Sequence, residues 1–248
     1  MFRIEAMNQN NWKCRTELLL GEKKIELLTR AHILVAGLGG VGGYAAEQLC
    51  RAGIGNLTIV DYDTVQPSNR NRQIIALKST EGRDKVKVLS ERLKDINPDL
   101  NLRELPLFIN EENISTLLKE PYDFIVDAID TLSPKVLLLS TTVEKGFKIV
   151  SSMGSGGKTD PSKVKVDDIA NSNHCKFAYM VRKYLHRFGI YSGIRVVYSP
   201  EPVKKETILE TDGSENKHSV VGTISYMPAI FGCHCAAEVI RQLLAASD

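Results

Sequence analysis

A run of glycines between two apolar segments constrains the fold of this chain more than any other feature. Residues 33–36 are apolar, residues 37–42 read Gly-Leu-Gly-Gly-Val-Gly, and a helix-like stretch leads to a second apolar segment at 57–60. Glycines in such a turn let the backbone approach a phosphate, and the following helix N-terminus adds amide donors and the positive end of its dipole. The pattern predicts a nucleotide-binding βαβ unit, with a turn that only packs helix on strand as the alternative. The candidate phosphate-facing glycines are Gly37, Gly39, Gly40 and Gly42.

The polar residues behind this turn distinguish among nucleotides. A dehydrogenase needs one acidic residue after the second strand, where it binds ribose hydroxyls. Here two acids, two arginines and a lysine follow a single turn, a set of charges that suits a triphosphate and a magnesium ion. Asp61 is the candidate for the ribose, Arg72 and Lys85 for the phosphates, Asn69 and Gln73 for the shape of the phosphate loop, and Asp63 for support of the ribose or orientation of Arg72.

These ordered motifs resemble the ThiF/MoeB/ubiquitin-activating superfamily. The resemblance rests on the glycine turn, Asp61-Tyr62-Asp63, Asn69-x-x-Arg72-Gln73, Lys85 and Val126-Asp127-Ala128-Ile129-Asp130. It implies activation of a carboxylate as an acyl-adenylate with ATP and Mg²⁺, and it assigns Asp130 to Mg²⁺ and catalysis. It also implies a homodimer in which an N-terminal arginine reaches the partner's nucleotide. Arg15 is the matching position, with an ordinary exposed arginine as the alternative.

A closer resemblance covers nearly the whole chain. Segments at 15–21, 54–58, 71–77, 127–135, 152–154, 158–161 and 227–232 are similar to the family of tRNA threonylcarbamoyladenosine dehydratases. That family uses ATP to activate the carboxylate of the threonylcarbamoyl group on adenosine 37 of certain tRNAs, and the side chain then closes into a ring. The resemblance implies tRNA as a partner and allows association with sulfur-transfer proteins.

The resemblance leaves two other functions open. One is an adenylyltransferase that activates the C-terminus of a ubiquitin-like or sulfur-carrier protein. The other is a non-catalytic nucleotide-binding scaffold, against which the intact Arg72, Lys85 and Asp130 argue. Residues 171–177 depart from the Asp-Pro-Leu segment usual in the dehydratase family, so if this segment contacts tRNA, we expect this chain's contacts to differ there.

Apolar segments alternate between strand and helix patterns, which predicts an α/β fold: a Rossmann-like, mostly parallel sheet with helices on both faces, followed by a less regular antiparallel C-terminal extension. We expect a single domain over residues 1–248, with a nucleotide-binding core at 16–160, a substrate-facing extension at 161–226 and a closing helix at 228–244. The predicted helices are 16–30, 41–52, 80–95, 111–119, 133–145 and 177–188. The predicted strands are 33–36, 57–60, 101–106, 123–127, 147–151, 164–166 and 194–198, and residues 199–219 are predicted to form a mobile loop.

Charge and hydropathy bear on partners and location. The net charge is +2, but residues 145–195 contain ten Lys/Arg against three Asp. That basic stretch predicts contact with nucleic acid, with an ordinary solvated surface as the alternative. The sequence contains no signal peptide and no run of 18 apolar residues, so we expect a cytoplasmic protein without membrane contact.

The five cysteines do not form a C-x-x-C pair, so a four-cysteine zinc site is not predicted. Cys233-His234-Cys235 could supply metal ligands, but positions i and i+2 of a helix face different ways, which favours packing. Cys50 is predicted to lie in the core. Cys175 stands in a polar stretch, where a reactive thiol is the alternative to a structural one.

Overall fold

The computed structural model describes residues 11–210 and 219–245. The strands in that part of the chain are β1 (His32–Ala36), β2 (Asn56–Val60), β3 (Asn101–Leu105), β4 (Phe124–Asp127), β5 (Ile149–Ser152), β6 (Lys165–Asp168), β7 (Arg195–Tyr198), β8 (Ile208–Glu210) and β9 (Ser219–Val221). The α-helices are α1 (Cys14–Leu20), α2 (Glu22–Arg30), α3 (Gly42–Ala52), α4 (Lys85–Ile96), α5 (Ile114–Leu117), α6 (Leu132–Glu144), α7 (Lys176–Leu185) and α8 (Tyr226–Ala245).

Seven strands form one sheet in the order β3-β2-β1-β4-β5-β7-β6. The six neighbouring pairs are parallel except β6 with β7, which is antiparallel. A parallel sheet needs helical crossovers that cover both of its faces, and the alternation of strands and helices in the sequence encodes those crossovers. The predicted fold class is therefore confirmed.

Two apolar cores lie on opposite faces of the sheet. Within β1, Ile33 and Val35 pack in the core formed with α3, α4 and α8, whereas Leu34 and Ala36 pack in the core formed with α5, α6 and α7. Successive strand residues point to opposite faces, so a strand buried on both sides reads as a continuous apolar run. This is why residues 33–36 carry no polar alternation.

The order of the strands reverses at β1, whose neighbours are β2 on one side and β4 on the other. In open α/β sheets, ligands bind outside the carboxyl ends of the strands at such a reversal. The glycine turn follows β1, Asp61 follows β2, and Asp130 follows β4. The topology thus brings three separately predicted segments to one edge of the sheet.

Three predicted helix boundaries are wrong for identifiable reasons. The helix predicted at 16–30 is two helices, because Gly21 takes a φ of +83° between them. The helix predicted at 80–95 begins at Lys85, since the backbone of Val65 bonds to Gly82 and Arg83 and holds that segment extended. The helix predicted at 111–119 is reduced to α5, because the Asn110 carboxamide accepts the amides of residues 112 and 113 in a local turn.

The C-terminal part contains the predicted antiparallel extension. β6 lies antiparallel to β7 at the edge of the main sheet, and β8 and β9 form a separate antiparallel pair. The prediction of a loop over 199–219 is wrong at 208–210, which form β8, and at 219, where β9 begins. Residues 211–218 lie outside the described residues. No helix in the described ranges is both long and apolar enough to cross a bilayer.

Candidate functional site

The glycine turn brings backbone segments closer together than any side chain would allow. A Cβ at Gly37 would lie 2.8 Å from the carbonyl oxygen of Ala128, and a Cβ at Gly42 would lie 1.7 Å from the carbonyl oxygen of Gly37. Gly37 also has a φ of +84°. These two glycines are required by packing within the chain. A Cβ at Gly39 would contact only the Gln73 side chain, at 3.7 Å, and one at Gly40 would meet Pro228 of α8 at 2.9 Å.

Asp61 is buried where β2 meets the glycine turn. Its Oδ2 accepts the amide of Leu38 at 2.6 Å, and its Oδ1 accepts the amide of Asp63 at 2.9 Å. Burial raises the pKa of the Asp61 carboxyl, while the neighbouring Lys85 ammonium and the two amides oppose that rise. Each carboxylate oxygen keeps a further lone pair that a ribose hydroxyl can use. The contact with Leu38 places this acceptor against the glycine turn.

Lys85 is the first residue of α4 and is almost completely buried. Its Nζ donates to Asp63 Oδ2 at 2.7 Å, and its backbone amide donates to the Asp63 carbonyl at 3.0 Å. An ammonium has three donors, so this pairing leaves capacity for a phosphate oxygen. Asp63 therefore orients Lys85. The hydrogen-bond acceptors for the Arg72 guanidinium, Ser68 and Asn71, belong to the same loop as Arg72 itself.

The loop after β2 that carries Asn69, Arg72 and Gln73, which we call the phosphate loop after its predicted role, is held by its own polar side chains. Asn69 is buried, and its carboxamide oxygen accepts the amide of Gln66 at 3.0 Å. The Arg72 guanidinium donates to the carbonyl of Ser68 at 3.0 Å and to the carboxamide of Asn71 at 2.8 Å. These contacts aim the half-buried Arg72 along the loop.

Gln73 lies at the point where the phosphate loop meets the glycine turn. Its amide donates to the carbonyl of Asn69 at 2.9 Å. Its side-chain oxygen is buried and has no hydrogen-bond partner among the described residues. An acceptor in that position costs free energy unless a ligand or water satisfies it.

Asp130 is exposed in the turn between β4 and α6, at the same edge of the sheet as the groups above. Arg15 is the one predicted site residue that the fold of a single chain places elsewhere. Its neighbour Thr16 lies beside Arg51 and Ala52 at the C-terminal end of α3, and Lys13 packs at Gly53. The glycine turn adjoins the opposite end of α3, about 16 Å away for eleven residues at 1.5 Å per residue.

A buried polar network beneath the site was missed from the sequence. Lys135 Nζ lies 2.5 Å from Asp127 Oδ2, and both side chains are fully buried. The Ser151 hydroxyl donates to the same carboxylate oxygen at 2.5 Å. The available signal was a lysine beside the otherwise apolar segment 136–139, eight residues after an acid that ends a buried strand. A buried lysine needs a partner, and that acid is the nearest buried candidate along the chain.

An aromatic pair at the same edge was also missed. Tyr62, which follows Asp61, meets the ring of Phe108 edge-on with centroids 4.9 Å apart. Tyr62 stays half exposed. The position of Tyr62 between two acids was visible in the sequence. Its partner Phe108 follows β3, so the contact between the two rings was not visible there.

The cysteines divide between core and surface. Cys50 is buried as predicted, and burial raises the pKa of its thiol to about 11. Cys175 is buried rather than placed on a polar surface. Cys233 is exposed and Cys235 is fully buried, with the pKa of its thiol raised by burial, so the two face opposite sides of α8. This arrangement favours packing over metal binding for residues 233–235.

Comparisons with known proteins cover nearly the full length of the chain. The ThiF family matches residues 14–248. A tRNA threonylcarbamoyladenosine dehydratase of Bacillus subtilis is 33% identical over 237 residues, which cover 93% of each protein. The crystal structure of the Escherichia coli tRNA N6-threonylcarbamoyladenosine dehydratase in complex with ATP matches with a TM-score of 0.86 and 32% identity, over 94% of this chain and 93% of that one. An adenylyltransferase and sulfurtransferase of Candida glabrata is 31% identical over 63% of this chain and 36% of its own length.

Asp61→Asn should change how stability depends on pH. Because burial raises the pKa of Asp61 in the folded chain above its unfolded value, its contribution to stability is present below about pH 4 and is lost as the pH rises through the raised value. The free energy of unfolding of the wild type minus that of Asp61→Asn should therefore decrease from about pH 4 to pH 7 in denaturant titrations.

Asp160→Asn is the matched control, since its neighbours Ser162 and Lys163 lower the pKa of Asp160. Its contribution is present above about pH 4 and is lost as the pH falls through the lowered pKa, so the corresponding difference should increase with pH below about pH 4 and stay nearly level from pH 4 to pH 7. Equal slopes for the two variants would contradict the burial argument for Asp61.

Proposed function

This chain belongs to the ThiF family, and from that membership we propose that it is an ATP-dependent dehydratase that cyclises threonylcarbamoyladenosine in tRNA. The observation that carries the proposal is the match, over nearly the full length of both chains, to relatives with that activity in their names. The crystal structure of the Escherichia coli relative in complex with ATP supports ATP as the nucleotide. Activation of a carrier protein is less well supported, because the similarity to a sulfur carrier protein adenylyltransferase of Thermus thermophilus spans 53% of this chain and 48% of that protein.

The reaction has two covalent steps. A carboxylate oxygen of the threonylcarbamoyl group attacks the α-phosphate of ATP, and pyrophosphate leaves. An atom of the same side chain then attacks the activated carbonyl carbon and loses its proton. AMP leaves with the former carboxylate oxygen, so the product has lost one water. Two anions must meet in the first step, and the site must neutralise charge and hold the groups in line.

The residues at the edge of the sheet match these demands. The glycine turn and the N-terminus of α3 present backbone amides to phosphate, and Asp61 accepts ribose hydroxyls. Lys85 is fixed by Asp63 and keeps donors for phosphate oxygens, and Arg72 supplies a second cation. Asn69 and Gln73 shape the loop that carries Arg72.

We assign Mg²⁺ to Asp130. No cluster of three or more His, Cys, Asp or Glu side chains that could hold a metal occurs in residues 11–210 or 219–245. A single exposed carboxylate fits Mg²⁺, which is commonly bound by one or two carboxylates together with the phosphates of the nucleotide. When bound, Mg²⁺ supplies charge neutralisation at the phosphates.

The division of the chain follows from the same proposal. We place the nucleotide-binding core at 16–160, the tRNA-facing extension at 161–226 and the closing helix at 228–244, all in one domain. β6 and β7 extend the main sheet, which supports a single domain. A tRNA substrate agrees with a cytoplasmic protein, and sulfur-transfer proteins are partners suggested by the resemblance alone.

α7 supplies the surface for tRNA. Its first turn packs against the turn after β5, where Gly154 and Phe177 are in contact range, so the helix starts at the edge that holds the nucleotide. Residues 169–200 contain no Asp or Glu. Lys176, Lys183 and Arg187 are exposed in this segment, and the side chains of Tyr179, Phe188 and Tyr191 are more than half exposed. Basic and aromatic side chains together suit phosphates and unpaired bases.

Arg182 is excluded from that surface. Its guanidinium donates to the carbonyls of Ser172, at 2.6 Å, and Ile169, at 3.3 Å. It holds the turn before α7 in place, so its removal would change structure as well as charge.

A homodimer completes the site. Arg15 lies at the far end of α3 from its own glycine turn, which leaves the partner's nucleotide as its target. The helix that carries Arg15 exposes Leu18 and Leu19 at 75% and 81% of their surface. Neighbouring apolar side chains at such exposure fit a surface that a second copy covers.

The proposed activity is tested with modified tRNA and ATP by mass spectrometry of nucleosides isolated at mild pH, because a strained cyclic product would hydrolyse. Asp130→Ala should bind ATP less than about tenfold more weakly yet lose at least about 100-fold in turnover, since the carboxylate acts on charge that develops in the transition state. Asp95→Ala removes an exposed carboxylate near the end of α4 and should be unaffected. Normal dehydration by Asp130→Ala would remove Asp130 from the mechanism.

The tRNA surface is tested by the salt dependence of binding. A Lys183→Ala/Arg187→Ala variant should bind tRNA more weakly, and the slope of log affinity against log salt should fall by about one unit for each lost phosphate contact. Its ATP affinity should stay unchanged. A Lys23→Ala/Arg30→Ala variant removes the same charge from α2, on the opposite face of the sheet, and should keep the wild-type slope. Identical slopes for both variants would place tRNA elsewhere.

The shared site is tested by mixing inactive subunits. Arg15→Ala and Asp130→Ala should each be inactive alone, but each mixed dimer contains one site with Asp130 from one subunit and Arg15 from the other. Random exchange makes half of the dimers mixed, so about a quarter of wild-type activity should return. Arg30→Ala serves as an exposed-arginine control that stays active. A monomer in sedimentation, or exchange without recovery, would contradict the shared site.

A further inference from the structure

A buried ion pair lies directly beneath the turn that carries Asp130. Lys135 on α6 and Asp127 at the end of β4 are both inaccessible to solvent, with 2.5 Å between Nζ and Oδ2. Ser151 of β5 donates to the same oxygen, and its hydroxyl lies 3.1 Å from the ammonium. One lysine thus connects α6, β4 and β5 beneath this edge of the sheet.

The second oxygen of Asp127 controls the backbone of the turn. Asp127 Oδ1 accepts the amide of Ile129 at 3.0 Å, and the amide of Ala128 donates to the carbonyl of Ala36 at 2.8 Å. The Ala128 carbonyl is the group that Gly37 approaches so closely. The conformation of residues 128–129 is therefore set from below by Asp127 and from the side by the glycine turn. Asp130 is the next residue along the chain.

The same lysine also reaches the element on the tRNA side. Lys135 Nζ lies 5.8 Å from the ring centroid of Phe177, in the first turn of α7. A cation at that distance from a ring face is attracted to it. The nucleotide side of the site and the start of the proposed tRNA surface are in this way joined through one ammonium group.

Stability alone does not account for this arrangement. Two charges taken out of water carry a large desolvation cost, and well-packed apolar residues often replace a buried pair without loss of stability. The neighbours of Lys135 in α6, including Val136, Leu138 and Leu139, are buried apolar residues that would accommodate such a replacement. The charged pair lies at the carboxyl end of β4, where the next turn carries Asp130.

We propose that Lys135 is a positioning residue for the reaction: its ammonium holds Asp127, and Asp127 holds the turn that directs the Asp130 carboxylate toward the phosphates and Mg²⁺. The inference rests on the proposed function, since Asp130 is given its chemistry there. Lys135 itself is too deeply buried to touch substrate.

The experiment removes both charges together. Lys135→Met alone leaves an unpaired buried carboxylate and should destabilise the fold, so the informative variant is Asp127→Asn/Lys135→Met. The carboxamide introduced at position 127 keeps an acceptor for the amide of Ile129, but it loses the ammonium that fixes its direction. The thioether chain introduced at position 135 fills the space of the lysine stem. Partners behind a metal ligand commonly affect metal affinity or activity by about 10–100-fold, so kcat should fall at least about tenfold. The Mg²⁺ concentration for half-maximal turnover should rise by at least about threefold, while the KM for ATP changes by less than about threefold.

A binding measurement separates this inference from the proposed function. Calorimetry of ATP with and without Mg²⁺ needs no tRNA, and the gain in ATP affinity from Mg²⁺ should shrink in the double variant as it does in Asp130→Ala. Ser151→Ala removes one hydroxyl without changing charge; it should fold normally and show a smaller change in the same direction. This second variant decides the question if the double variant fails to fold.

Glu47→Gln is the control for a merely structural effect. Glu47 is a buried carboxylate that pairs with Arg51 and Arg92 between α3 and α4. It should lose stability while the Mg²⁺ dependence stays at the wild-type value. An unchanged Mg²⁺ effect in folded Asp127→Asn/Lys135→Met or Ser151→Ala would overturn the positioning role. A wild type that binds ATP and Mg²⁺ but leaves modified tRNA unchanged would contradict the proposed function instead.

Discussion

The close approach of the backbone at Gly37 to the backbone at Ala128 is the contact on which the rest of the site depends. It brings the backbone after β1 so close to the backbone after β4 that no side chain fits between them. This contact forms the base of the edge of the sheet where the candidate site lies. Gly42 allows the same closeness between the turn and the start of α3. Because these contacts are between backbone atoms in a packed interior, the geometry of the turn has little freedom.

Charge at this edge is arranged in layers. The deepest layer contains the neutralised pair of Asp127 and Lys135, which shapes the turn above it. The next contains Asp61 and the Asp63–Lys85 pair, groups that are already fixed by protein contacts yet retain lone pairs or protons for a ligand. Asp130 lies outermost and is exposed. Groups that hold the shape of this edge are thus buried and satisfied, whereas Asp130, to which we assign Mg²⁺ in our proposal, is exposed.

Most of the fold was predictable because its signals are local. Apolar runs bounded by glycine or acidic residues indicated the parallel strands, and the boundaries of β1, β2 and β4 differ from the predictions by one residue. The errors occurred where a long-range or side-chain contact overrides helix periodicity. Val65 holds residues 82–83 extended, and Asn110 forms a local turn in place of the first turn of the helix predicted at 111–119. Such contacts depend on where another segment lies, which a periodic pattern does not report.

The sequence by itself determined the βαβ unit, the sheet with helices on both faces, and the set of polar residues at its edge, since each depends on residue type and spacing within one segment. Only the tertiary structure decided which of those residues contact one another and which way their side chains face. It paired Asp63 with Lys85, turned Arg182 inward, placed Lys135 beneath Asp130, and set Arg15 at the far end of α3. These are contacts between segments that are distant in the chain or lie on different elements, and their energies depend on burial and direction in three dimensions, which residue order does not contain.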